Sequence, residues 1–188
     1  MKNYILPVFI AMFIFTGCGP SEQERAQQQQ RKQQMQMQLI ESSPEFNEQM
    51  AAVLERYFDL KDALVASDAE QATAYAETFR DEVAGTEPMG LNEETKAIWV
   101  SFSEVMVNSS NELITLEDVD DQRYHFEYIS EAMIEMVDLF RPVGYEIYHQ
   151  SCPMVRGGSA DWLSREEQIA NPYHGDRMMR CGEVIRRL

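Results

Sequence analysis

Residues 149–154 read HQSCPM and residues 178–182 read MMRCG. Each stretch sets a cysteine close to a methionine, with His149 just before the first pair, in a chain of 12 methionines and only 3 cysteines. Thiolate and thioether sulfur are soft donors that favour Cu(I) or Ag(I) over hard cations. Cys152, Met154, Met178 and Cys181 could therefore form a soft-metal site, with His149 adding an imidazole. An extended backbone at Pro153 would turn Cys152 and Met154 to the same side. A helical turn would set Met178 and Cys181 on one face. The same residues support a second chemistry. A disulfide between Cys152 and Cys181 would close a loop of about 30 residues, worth roughly 3–4 kcal/mol in the chain-entropy treatment. Trp162, Leu163, Tyr173 and the methionines would then be the small core around it. A third chemistry pairs Cys152 as nucleophile with His149 as base. The chain shows no base-orienting constellation, no C-x-x-C motif, no phosphate-cradling glycine loop and no zinc or di-iron ligand spacing, so an enzyme is not expected.

The elements that must bring these residues together divide the chain near Gly144. From Tyr145 to Gln150, aromatic or β-branched residues alternate with polar ones, which predicts a short strand, and EVIRR at 183–187 offers it a partner. Between them lie Gly157-Gly158, a capping signature SREE at 164–167 and a turn NPYHG at 171–175. Residues 44–143 follow the helical period instead. Phe46, Met50, Val53, Tyr57, Leu60 and Leu64 form the stripe of a first helix. SDAE at 67–70 has the spacing of a capping box for a second helix, whose face is Ala72, Tyr75, Phe79 and Val83. Asn92 caps a third helix carrying Ile98, Trp99, Phe102, Met106, Leu113 and Leu116, with the weak helix formers NSSN in its later half. A fourth begins near Asp118, carries Phe126, Ile129, Met133, Met136 and Phe140, and stops at Pro142. Four amphipathic segments with short connections predict a mostly α protein. Its expected form is an up-down four-helix bundle over 44–143, with a small irregular C-terminal module at 144–188 containing a short β-hairpin or strand pair. Met50, Met106, Met133 and Met136 sit at core spacing, and His125 reads as a surface or core-edge residue.

The N-terminal stretch bears on location. Lys2 and the apolar run from Tyr4 to Phe15 form a signal-peptide pattern, too short to span a bilayer as a helix. Thr16-Gly17-Cys18 has the shape of a bacterial lipobox, so residues 1–18 read as a lipoprotein signal with Cys18 the acylated residue. Gly19-Pro20 behind it fits the outer rather than the inner membrane. Residues 19–43 are Gln-rich, with too few apolar residues to make a core, and read as a tether. The expected place is the cell envelope, lipid-anchored and facing the periplasm. If Cys18 carries lipid, Cys152 and Cys181 are the remaining thiols, in an oxidising compartment. The formal net charge is −16 and unevenly spread: Glu45 to Val143 holds 6 basic against 23 acidic residues, whereas Gly144 to Leu188 holds 6 of each. Such a field repels nucleic acid and anionic lipid, so neither is expected as a partner.

CPM at 152–154, WLS at 162–164, NPY at 171–173, Gly175, Met178 and CG at 181–182, following DDQRYHFEYIS at 120–130, resemble a bacterial envelope domain of unknown function. That family occurs as stand-alone secreted proteins or lipoproteins, and at the C-terminus of periplasmic adaptor subunits of Cus-type copper/silver efflux pumps. The resemblance covers the chain from Pro44 to Leu188, with His174 standing where an aromatic residue is expected. It implies a role in heavy-metal homeostasis, with an efflux adaptor as partner. If the cysteines are bridged, the exposed part of WLSREEQIANPY, including Trp162, Asn171 and Tyr173, is the expected docking surface.

Overall fold

The computed structural model describes residues 42–188. The predicted leader, Cys18 and residues 19–41 of the Gln-rich segment lie outside them. Helix α1 (Pro44–Val65) starts where the Ser43 hydroxyl accepts from the Phe46 amide and Pro44 occupies the first turn, where it forfeits no helical hydrogen bond. All six residues of its expected stripe are fully buried. Helix α2 (Ala69–Gly85) is capped by Asp68, which accepts from the Gln71 amide. The predicted capping residue was Ser67. That residue instead takes a left-handed φ of 56° between the helices and turns its hydroxyl to Arg123. Helix α3 (Glu93–Ile114) is capped by Asn92 as expected and runs unbroken through NSSN. Ser110 is buried there, and its hydroxyl donates back to the Met106 carbonyl, so no polar group is left bare. Helix α4 (Val119–Phe140) starts at Asp118 and ends at Arg141, which adopts a left-handed conformation just before Pro142.

Consecutive helices pack on one another, whereas α1 and α4 share few contacts. The C-terminal strands take up that side. Strands β1 (Tyr148–Val155), β2 (Gly158–Ser164) and β3 (Glu183–Arg187) form an antiparallel sheet in the order β2-β1-β3. Strand β2 packs against α4 and reaches α1, where the Leu163 amide donates to the Tyr57 hydroxyl at 3.0 Å. The expected pairing of the region around His149 with EVIRR is present, but β1 starts later than predicted and runs through Cys152. The unpredicted strand is β2. Arg156 and Gly157 make its hairpin turn at φ 47° and 80°, the paired positive values that fit the twist of a two-residue hairpin. SREE caps no helix: Ser164 ends β2, and its hydroxyl accepts from the Glu166 amide in a local turn.

One core runs through both halves. Phe126 of α4 stacks on Tyr57 of α1 with centroids 5.5 Å apart, Tyr173 lies 5.8 Å from Phe126, and Trp162 lies 6.0 Å from Tyr173. The 144–188 segment has no separate miniature core; the described residues form one compact unit. Among the described residues, no helix is long and apolar enough to cross a membrane.

Candidate dithiol site

Cys152 sits in the central strand, opposite Ala160, and is completely buried. Cys181 comes from the loop that leads into β3 and is half-buried. Their sulfur atoms are 3.2 Å apart and unbonded. Three local features bring Cys181 there. Asn171 is fully buried and organises the NPYHG turn: its Oδ1 accepts from the amides of Tyr173 and His174, and its Nδ2 donates to the Cys181 carbonyl. The Cys181 amide closes a tight turn on the Met178 carbonyl at 2.9 Å. Gly182 then crosses β1 at φ 140°, where a β-carbon would come within 2.7 Å of the Ser151 carbonyl and 3.0 Å of the Trp162 ring. Only glycine permits that approach.

The rest of the loop is held by Arg123, a buried guanidinium on α4. It donates to the Pro172 carbonyl, the Leu64 carbonyl, the Ser67 hydroxyl and the Asp120 carboxylate, all at 2.7–2.9 Å. Gly175, at φ 51°, packs so closely on Ser67 and Arg123 that a side chain there would collide with both. Arg177 doubles the clamp with two further bonds to Asp120, and the hydrogen bond from Arg177 holds the Asp120 carboxyl below its ordinary range, aided by Arg123. Sequence reading missed Arg123. The signal was there, since Arg123 falls three positions before Phe126 on the buried face of α4.

Several expected site residues do not converge on the thiols. Met154 is 53% exposed, because a bulge between Cys152 and Val155 breaks the alternation that would have set it beside Cys152. Met178 follows a 3₁₀ turn (Gly175–Arg177) and is linked to Cys181 through a tight turn rather than a helical one. His149 is three residues from Cys152 and so faces the other side of the sheet. Arg186 Nε can only donate, so His149 Nδ1 accepts from it at 3.1 Å, and Nε2 carries the proton given to Asp161 at 2.8 Å. Both nitrogens are engaged, leaving none for a metal or for Cys152. His174 Nε2 is likewise bonded to the Met154 carbonyl. Among the described residues no group of three or more His, Cys, Asp or Glu side chains is placed to hold a metal ion.

The docking expectation also changes. Trp162 and Asn171 are fully buried and Tyr173 nearly so, with its hydroxyl donating to the Asp161 carbonyl. These residues build the core and cannot meet a partner. The exposed middle of that segment is tied down too: Arg165 pairs with Glu55 and lies over the Phe58 ring, and Glu167 pairs with Arg187.

Chemically, the site is a preformed dithiol with one sealed and one accessible sulfur. The Cys152 thiol beside Cys181, followed by partial burial, raises the Cys181 pKa above its ordinary value. No cation is among the causes of that shift, so Cys181 is not activated for attack at neutral pH.

Fold and site together define a helical bundle closed by a small antiparallel sheet, with a dithiol between its central strand and the loop before β3. Residues 53–143 match the model of the family described as Protein of unknown function (DUF3347). The match begins inside α1 and ends before the sheet and both thiols. No curated protein and no solved structure matches the chain.

Proposed function

We propose that the protein is a lipid-anchored, non-catalytic accessory of the bacterial envelope, tethered through Cys18, whose Cys152 and Cys181 close into a disulfide that fixes the C-terminal sheet. The supporting observation is the 3.2 Å separation of the two sulfurs. Closure removes two protons and two electrons from the pair, delivered to a disulfide-donating oxidant of the envelope. The loop it closes is worth roughly 3–4 kcal/mol. The bound partner is a periplasmic efflux adaptor, a reading that rests on the resemblance of the motif residues to the heavy-metal efflux family.

A soft-metal role is the second reading, favoured by the two juxtaposed thiols, of which Cys181 is only half-buried. It requires movement. Two opposed metal–sulfur bonds of about 2.3 Å each need sulfurs more than 4 Å apart, wider than the present pair. Intact mass with and without reductant separates the readings. A two-hydrogen loss that resists mild reductant, with no uptake of Cu(I) from a chromophoric chelator, supports the staple. Reduced protein that takes Cu(I) from the chelator, and loses this ability on Cys152→Ser, supports the metal role.

A further inference from the structure

The buried positions of Trp162, Asn171 and Tyr173 leave a docking protein without its expected docking surface, and the other side of the sheet offers one. A groove of about 630 Å³ runs where α3 and α4 meet the strands. Phe102 and Val105 of α3 form one wall, Val105 being 40% exposed. Tyr128, Glu131 and Glu135 of α4 form the other, and Asp161 of β2 closes the end.

Two properties of this groove point to its occupant. The first is charge. Glu131 and Glu135, one helical turn apart, have no salt bridge among the described residues, where the Asp161 carboxylate is bonded only by His149. The single cation at the groove, Arg186, is already spent on both oxygens of Asp138. The groove therefore offers uncompensated negative charge beside hydrocarbon. The second is shape. Tyr124, Tyr128, Glu131 and Glu135 follow the helical repeat along one face of α4, a strip of about 16 Å. Tyr124 and Tyr128 are both exposed, and their hydroxyls are bonded to each other at 2.8 Å. Arg156 lies over the Tyr124 ring, which shows that this strip already accepts a guanidinium by cation–π contact. A strip of this length suits a linear chain. The carboxylates do not cluster as a metal cage, and their sign excludes phosphate-bearing partners.

We infer that this groove is the docking site for a linear segment of a partner protein in which Lys or Arg alternates with apolar side chains. The cationic heads meet Glu131, Glu135 and Asp161, and the apolar groups rest on Val105, Phe102 and the tyrosine rings. The inference rests on the docking role proposed above and names its surface.

The test uses the mature chain and a fluorescent peptide of alternating Lys and Leu, read by anisotropy. Two control peptides replace Lys by Glu or Leu by Ser. The expected result is binding of the basic apolar peptide alone, weakened by salt. Glu131→Gln with Glu135→Gln weakens it by about tenfold or more, as does Val105→Ser. Glu70→Gln with Glu77→Gln, which removes the same charge from the exposed face of α2, leaves binding unchanged. Equal loss in the α2 control, or no preference over the Glu peptide, overturns the assignment, because a general field would then account for binding. Capture of a purified efflux adaptor separates this inference from the broader reading. Equal capture by wild type and the groove variant keeps the docking role and removes the groove. Groove-dependent peptide binding without adaptor capture keeps the groove and removes the adaptor.

Discussion

At the scale of single residues, the chemistry is decided by what surrounds each sulfur and each ring nitrogen. Cys181 is accessible yet its thiol is held up by Cys152, so in reduced protein it should react slowly with iodoacetamide at neutral pH. Cys152→Ala removes the first cause of that shift, and Cys181 alkylation should then accelerate; an unchanged time course would mean that the pair does not share its proton. Tyr57 makes a second single-residue case. Its buried hydroxyl bonds Ser130 at 2.7 Å and receives the Leu163 amide, joining α1 to α4 and β2. Tyr57→Phe leaves that amide without a partner and should cost about 1–3 kcal/mol in denaturant unfolding. Tyr57 was legible in the sequence as a core position, through its place in the stripe from Phe46 to Leu64. Its hydroxyl partner on β2 was not, because the two residues are far apart in the chain and nothing local signals the bond.

At the scale of elements, short-range signals and long-range demands can be told apart. The caps at Asn92 and Asp118 were readable because each cap bonds an amide two or three residues on. At Ser67 the local signature failed. The Ser-x-x-Glu pattern was present, but Arg123 on a distant helix recruits the Ser67 hydroxyl, and Asp68 takes over the cap. The 171–182 loop is governed in the same way by groups it does not contain. Gly175→Ala would place a methyl against Ser67 and Arg123 at a positive φ, and should destabilise the fold by about 2 kcal/mol or more. Arg123→Met strips hydrogen bonds from the Pro172 and Leu64 carbonyls and should cost about 3 kcal/mol. Thermal unfolding compared with an exposed-site control such as Arg56→Met checks both. Losses no larger than the control would show that the loop is not latched through Arg123.

At the scale of the whole molecule, the sheet is part of the core and the pH response follows from groups that join the halves. A chain ending at Val143 keeps the helices that match the family but uncovers the side of α1 and α4 where Leu163, Trp162 and Tyr173 pack. It should lose cooperative unfolding and near-UV circular dichroism, both of which the full chain retains. Acid and alkali both lower stability, through different groups. Asp120 has a folded pKa below the ordinary 3.8, so its contribution is complete above that value and is lost as pH falls through the lower folded value. Asp120→Asn should be less stable than wild type above pH 3.8, with the two converging in stronger acid. Tyr57 is raised from 10.0, chiefly by burial, so the unfolded chain releases this proton first and stability declines as pH rises beyond 10.0. Tyr57→Phe should flatten that alkaline decline in urea titrations followed across the range.

What the sequence determined by itself was everything with a short reach. Stripes at the helical repeat placed four helices, because the period of a stripe is set by residues within one helix. The Asn171 turn and the strand at EVIRR were likewise written in consecutive residues. The tertiary structure alone decided which of the reactive side chains meet. A bulge after Cys152 turned Met154 outward, the odd and even sides of β1 parted His149 from Cys152, and the need to fill the space between α1 and α4 drew Trp162 and Tyr173 inward. The physical reason is common to all three. Side-chain direction in a sheet depends on register and on what the opposite layer leaves open, and neither is a property of any stretch of chain taken alone.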